Sequence, residues 1–326
     1  MNFDTEKIAK ILSEEYALHV ESIARLSGFY DGNFEIHSEE KKYFVKIFEV
    51  DALPSIIFQI DFIQTLIGSG LPVAKIRATK NGEFFFCYEE TFGILQEFLS
   101  GDHLYGTPIT DNLLHDIGEK LALLHTTTSD KQLKGEASKA YPWDLAQFDI
   151  VKNDYTEAKQ YIENDTRSIL EQIFEEWDTS KAHLHAKLEK GYIHNDFHGY
   201  NILVKENKCS GIMDFGDAIV SWYAADIAIA LIHICFQDAR RIPESIRAFL
   251  GGYTHIKPLG SIQTEDILLL MKLRAATIII EFDLHFNGQP VGIYETMRKN
   301  IIRHLLYLET PEQKKNMLTI FSHFHD

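Results

Sequence analysis

The chain has 326 residues, 48 of them Asp or Glu against 32 Lys or Arg, and its formal net charge of −16 would repel nucleic acid. With 45% apolar and 12% aromatic residues it can bury the core of one or two compact domains. Cys87, Cys209 and Cys235 lack the spacing of a disulfide framework or zinc site, the acidic start MNFDTE is no signal peptide, and the apolar residues 227–236 are too few to span a bilayer, so the expected location is the cytoplasm.

In chain order, residues 27–34 (SGFYDGNF) read as a turn between strands, with two glycines but no G-x-G-x-x-G. Residues 42–48 read as a strand with Lys46 set inside an apolar run, where a lysine is rarely buried unless paired. Residues 54–68 have helical character through Ile57, Ile60, Leu66 and Ile67; residues 84–88 and 92–99 read as strands. Gly101 ends the second of these, and residues 99–102 form the one candidate boundary. Residues 111–126 predict a helix with Leu113, Leu114, Ile117, Leu121 and Leu124 on one face. Residues 154–190 read as long charged helical segments with a solvated face, residues 222–235 as an apolar helix, and residues 268–286 and 294–308 as closing helices. There is no internal repeat or low-complexity linker.

The densest signal is residues 192–217, YIHNDFHGYNILVKENKCSGIMDFGD, where His194-x-Asp196-x-x-x-x-Asn201 precedes Asp214-Phe215-Gly216. Phosphoryl transfer asks a protein mostly for positioning and charge neutralisation. Asp196 suits a group that faces the acceptor hydroxyl; Asn201 and Asp214 are hard oxygen donors suited to magnesium. Residues 202–204 and 210–213 predict a hairpin turning through Glu206, Asn207 and Lys208, which returns Asp214 beside Asn201. Upstream, Lys46 is placed to meet the α- and β-phosphates, with Asp61 of the next helix as its expected acidic partner. Backbone amides of Tyr30, Asp31, Gly32 and Asn33 would approach the phosphates, and the backbone of Glu97 and Leu99 the adenine edge. No Ala-Pro-Glu follows Asp214, so there is no room for a peptide-binding activation segment, which points to a small-molecule acceptor.

These motifs resemble the aminoglycoside phosphotransferase and choline kinase superfamily over nearly the whole chain, from about Ser22 to about Tyr307. Within it, Tyr30-Asp31-x-Asn33-Phe34, Gly70-Leu71-Pro72-Val73, Trp143-x-Leu145 and GIMDFGD at 211–217 are most similar to hydroxylysine kinases and their bacterial relatives. The resemblance implies an α+β, two-lobed, protein-kinase-like fold: a nucleotide-binding lobe of antiparallel sheet plus helix at 1–99, and a larger, mainly helical catalytic and acceptor-binding lobe at 100–326. It implies Asp196 as catalytic residue, Asn201 and Asp214 as magnesium ligands, Lys46 as phosphate lysine, and His194 and Asp226 as supports of the catalytic loop. The chain departs from many members at Asn195, where they have glycine, at Gly199-Tyr200, where they have proline then glycine, and at Asp61, where glutamate is usual.

The implied reaction is transfer of the γ-phosphoryl group of ATP, or GTP, with magnesium to a hydroxyl of an amino-bearing metabolite. Hydroxylysine or a related amino alcohol leads; homoserine, choline-like alcohols and aminoglycosides are alternatives of the same class. A nucleotide-binding pseudokinase module is the alternative of another class, against which the joint presence of Lys46, Asp196, Asn201 and Asp214 stands. The acidic chain would attract a cationic acceptor, and neither nucleic acid nor membrane is expected as a partner. Asp217, Trp143, Trp222 and Asp283, with Asp144, Glu281 and His285, are the acceptor-side candidates; the pairs His183/His185 and His323/His325 read as solvated histidines.

Overall fold

The computed structural model describes residues 4–26, 32–39, 41–48, 53–89, 91–137 and 141–324. An N-terminal antiparallel sheet and a helical C-terminal part give the expected two-lobed α+β, kinase-like architecture.

Helix α1 (Thr5–Tyr16) starts where the Asp4 carboxylate accepts from the N–H groups of Glu6 and Lys7, and ends at Ala17 in a left-handed conformation. Ile8, Leu12 and Tyr16, spaced four apart, form its buried stripe. They cover one face of a five-stranded sheet in the order β1 (Ser22–Leu26), β2 (Gly32–Ser38), β3 (Lys41–Phe48), β5 (Thr91–Glu97), β4 (Phe86–Tyr88). Alternation sends Phe34, Ile36, Val45, Ile47 and Leu95 to the α1 face. Lys46, Phe48 and Ile94 then point to the other side, toward the core that includes α2 (Leu53–Leu66).

The chain leaves β5 through residues 98–101 and enters β6 (Asp102–His103), which pairs with β8 (Ile202–Lys205). Gly101 is required here: its φ is +150°, and a Cβ would lie 2.4 Å from Ser210 Oγ and 3.0 Å from the Val204 carbonyl. The β8–β9 (Lys208–Ile212) hairpin turns on Glu206 and Asn207, both with positive φ, the two-residue turn that matches strand twist. Lys208, expected in the turn, is the first residue of β9.

Helix α3 (Asp111–Thr128) packs on α7 (Ile242–Ile256) where glycines let the backbones touch: a Cβ on Gly118 would lie 2.1 Å from the Phe249 carbonyl, and one on Gly252 1.9 Å from that of His115. Helix α8 (Thr264–His285) is buried on nearly every side, without the polar stripe of a surface helix. Around it stand α4 (Asp149–Ala158), α5 (Asn164–Lys187), α6 (Tyr223–Ala230), α9 (Ile293–Glu309) and α10 (Pro311–Ser322).

Two expectations change. The charged segment 154–190 holds the end of α4 and all of α5, separated by residues 159–163 with a 3-10 turn at Lys159–Tyr161, and α5 buries Leu170, Ile173, Phe174, Trp177 and Leu184 against the core. The expected helix 222–235 begins one residue later: Trp222 ends β10 (Ile219–Trp222), held opposite Lys190 of β7 (Lys190–Ile193), and residues Leu231–Cys235 widen into a π-helical turn. Among the described residues no helix is long and apolar enough to cross a membrane.

Candidate functional site

Strand β7 delivers the loop that carries Asp196, and a buried carboxylate sets its shape. Asp226 of α6, fully enclosed, accepts from the His194 and Asn195 N–H groups, both at 2.7 Å, and from His125 Nε2 at 3.1 Å. That clamp holds Asn195 at φ +64°, the left-handed region in which asparagine is the best substitute for glycine. Its side-chain amide is buried with no hydrogen-bond partner among the described residues, a cost that glycine would not carry. His194 donates Nε2–H to the Met213 carbonyl at 2.9 Å and accepts the Asp196 N–H on Nδ1, tying the loop to the end of β9.

Asp196 has both carboxylate oxygens engaged. Oδ1 accepts from Arg274 Nη2 at 2.7 Å; Oδ2 accepts from Asn201 Nδ2 at 2.8 Å and lies 3.1 Å from His198 Nε2. Burial pushes its pKa up, but His198, Arg274 and His194 together outweigh that and hold it far below the ordinary carboxylate range. Asn201 spends its amide N–H on Asp196, and its side-chain oxygen accepts from none of the described residues. Asp214, left-handed at φ +56°, accepts from Lys46 Nζ at 2.8 Å and from the Gly216 N–H at 3.3 Å, both on Oδ1. Lys46 chiefly holds its carboxyl below the ordinary range. The Asn201 oxygen and Asp214 Oδ2 are thus hard donors of the kind magnesium takes.

Lys46 is buried, and on β3 it stands opposite Asn33 of β2, so the two side chains share a face of the sheet. Gly32 begins the same strand; Tyr30 and Asp31 lie outside the described residues. Asp61 does not meet Lys46: its carboxylate accepts the Lys134 N–H at 2.8 Å. Two residues along a helix is more than half a turn, so Gln59, not Asp61, faces the pair. A point beside Gly216 lies 3.2 Å from Lys46 Nζ and 3.7 Å from Gln59 Nε2. The Glu97 N–H is held by the Lys75 carbonyl at 2.9 Å, whereas the Leu99 N–H meets no acceptor among the described residues.

On the acceptor side, Asp217 accepts a hydrogen bond from the Tyr141 hydroxyl. Burial, then repulsion from Asp196 and Asp214, pushes its pKa up to about 6. Trp143 lines a cavity of about 370 Å³ with Tyr141, Pro142, Glu281, Phe282, Leu284 and His285, and its ring lies 5.0 Å from the Arg274 guanidinium. Two candidates fall away. Trp222 is wholly enclosed in the core beside Trp177 and His185, and Asp283 is fully buried, its Oδ2 accepting from Arg298 at 2.6 Å and its Oδ1 meeting no donor among the described residues. Asp144 is also structural, accepting from Ser221 and the Ala146 N–H. His183 and His185 diverge, one 3.8 Å from Asp266 and the other edge-on against Trp222; His325 lies outside the described residues.

Arg274, His198, Tyr141 and Gln59 had escaped the motifs. For Arg274 a signal existed: a charge inside LLLMKLRAATIII implies a buried partner. His198 lies two residues beyond Asp196, inside the motif's unspecified positions.

Comparison with known proteins adds the following. The model of APH, the phosphotransferase enzyme family, matches residues 22–259. A homoserine kinase of Pseudomonas aeruginosa is 25% identical over 292 residues, 85% of this chain and 89% of the relative. A hydroxylysine kinase of Mus musculus is 24% identical over 312 residues, 85% of this chain and 81% of the relative. The solved structure of amicoumacin kinase hAmiN in complex with AMP-PNP, Ca2+ and Ami superposes with a TM-score of 0.70 at 19% identity, covering 93% of each chain.

Proposed function

Because the chain belongs to the phosphotransferase enzyme family (APH) and is a small-molecule phosphotransferase with an alcohol group as acceptor, we propose that it moves the γ-phosphoryl group of ATP to the hydroxyl of an amino-bearing metabolite. The observation that carries this reading is the bond of Lys46 to Asp214, 168 residues away in the chain, together with the local pair of Asp196 and Asn201.

In this mechanism Lys46 holds the α- and β-phosphates, the Asn33 side chain lies on the same face, and the Leu99 N–H, which meets no acceptor among the described residues, faces the adenine edge. Residues 1–99 then act as the nucleotide lobe and 100–326 as the acceptor lobe, divided at Gly101. Asn201 and Asp214 would hold magnesium, which neutralises charge developing on the transferred group. Asp196, ionised across the working pH range, orients the acceptor hydroxyl in line with phosphorus and takes its proton as the bond forms. Trp143 and Glu281 line the cavity that takes the remainder of the acceptor, and Asp217 bonds Tyr141 beside it; an ammonium there gains from the aromatic face and draws the raised carboxyls of Glu281 and Asp217 toward their ionised form. Hydroxylysine and homoserine lead, supported by the names of the relatives.

The test is coupled ADP release with magnesium-ATP over a panel of hydroxylated amines and amino acids, with Asp196→Asn beside the native protein. A turnover present in the native protein and at least about a thousandfold lower in the variant, with nucleotide affinity unchanged, is the expected result. Activity surviving Asp196→Asn would refute the catalytic assignment. Silence over the whole panel with ATP still bound would favour a binding module.

A further inference from the structure

A buried charge needs partners, and Arg274 has fewer than its chemistry offers. It sits on α8 with a side chain only 5% exposed, in a run of Leu, Ile and Ala. A guanidinium carries five N–H donors. One, on Nη2, goes to Asp196 Oδ1 at 2.7 Å; a second, on Nε, reaches His233 Nε2 at 3.5 Å, the limit of a hydrogen bond. Nη1 donates to none of the described residues. The group lies over the Trp143 ring, 5.0 Å from its centre, and that same Trp143 lines the 370 Å³ cavity. Arg274 therefore links Asp196 to the cavity and keeps donors in reserve.

Its present bond is also in the way of the reaction. Asp196 Oδ2 is taken by Asn201 and His198, so Oδ1 is the oxygen left for an acceptor hydroxyl, and Arg274 occupies it. A fork of this shape is best matched by a second carboxylate, which can take both ends of the guanidinium at once.

We propose that Arg274 is the specificity residue of the acceptor site, reading a carboxylate on the acceptor. The acceptor is then a hydroxylated amino acid whose carboxylate draws Arg274 from Asp196 Oδ1 and leaves that oxygen to the hydroxyl. Direct contact between Arg274 and Asp196 keeps the two sites close, so the acceptor's hydroxyl and carboxylate stand only a few bonds apart. An amino alcohol without the carboxylate leaves Arg274 on Asp196 and is a poor acceptor. This deepens the kinase reading and rests on it.

The experiment compares homoserine with 3-aminopropanol, its decarboxylated counterpart, and hydroxylysine with its own decarboxylated diamine, as acceptors with magnesium-ATP. Native protein, Arg274→Gln and Arg274→Lys are each assayed for kcat and KM. At least one amino acid is expected to exceed its decarboxylated partner in kcat/KM by about a hundredfold or more in the native protein. Arg274→Gln is expected to reduce that ratio to near one, chiefly through KM for the amino acid, and Arg274→Lys to restore part of it. A native preference for the amino alcohol overturns the proposal. So does a ratio that Arg274→Gln leaves intact while both acceptors slow equally, since Arg274 would then be only a counter-charge for Asp196. Should Arg274→Gln fail to fold, Arg274→Lys must still cut the ratio at least about fivefold, because an ammonium lacks the fork; an unchanged ratio refutes the proposal. No transfer to any acceptor by the native protein would instead sink the kinase reading, and the assignment of Arg274 with it.

Discussion

Asp226→Asn isolates the clamp beneath the catalytic loop without changing its volume. In the native protein Asp226 Oδ2 accepts from the His194 N–H and from His125 Nε2, and Oδ1 from the Asn195 N–H. His125 is held neutral, because burial lowers its pKa more than Asp226 raises it, and its Nδ1 faces the Tyr253 hydroxyl at 2.9 Å. An asparagine amide keeps the two-donor oxygen and turns its NH2 toward the Asn195 N–H, donor against donor. One charge-assisted bond is lost, at about 1.5–3 kcal/mol, and a buried N–H is left without an acceptor, at about 1–3 kcal/mol. Removing the buried negative charge returns part of this, so the expected net destabilisation is about 3 kcal/mol. Because Asn195 adjoins Asp196, the same loosening should lower kcat about a hundredfold, the cost of roughly 1 Å of misplacement. KM for ATP should hardly move, since Lys46 is held by β3 and Asp214. Urea unfolding and coupled ADP release measure the two effects. A variant within about 0.5 kcal/mol of the native protein and with native kcat would refute the clamp as the element that shapes the loop.

Two further predictions concern packing and pH. Gly118→Ala forces a Cβ into the Phe249 carbonyl, 2.1 Å away on the facing helix, and should cost about 3 kcal/mol by thermal unfolding; a cost under about 1 kcal/mol would mean that α3 and α7 can part freely. Glu281 has its pKa pushed up to about 7 by burial and then by Asp154, so its neutral form is favoured in the fold. The stability tied to that neutral form is whole below the ordinary carboxyl range and disappears as pH rises through 7. Glu281→Gln should therefore match the native protein near pH 4 and exceed it near pH 9. One pKa unit is worth about 1.4 kcal/mol, and for a carboxyl still partly in contact with water the gain should be on the order of 1 kcal/mol. Equal denaturation midpoints at both pH values would contradict it.

Local spacing was enough to mark Asp196, Asn201 and Asp214, because five residues of loop and one short hairpin hold them together. A two-residue turn leaves the hairpin little freedom, so sequence distance becomes spatial distance. Lys46 was legible for a related reason: a lysine amid strand residues needs a partner, and Asp214 is one. Even Asn195 was marked as a departure in backbone shape, and its positive φ supplies the reason. What faced these residues from afar was another matter. Gln59 rather than Asp61 turns toward Lys46, since the direction of a helical side chain depends on how the whole helix rolls against its neighbours. Trp222 and Asp283 have the residue types of a binding pocket yet are buried in the core, one beside Trp177 and the other against Arg298. Arg274 lies 78 residues from Asp196 in sequence, and only the packing of α8 through the middle of the helical lobe brings its guanidinium to 2.7 Å. The residues assigned to the transfer thus follow short-range order in the chain. Those assigned to the acceptor are placed by burial, which depends on every helix at once and leaves no fixed spacing in the chain.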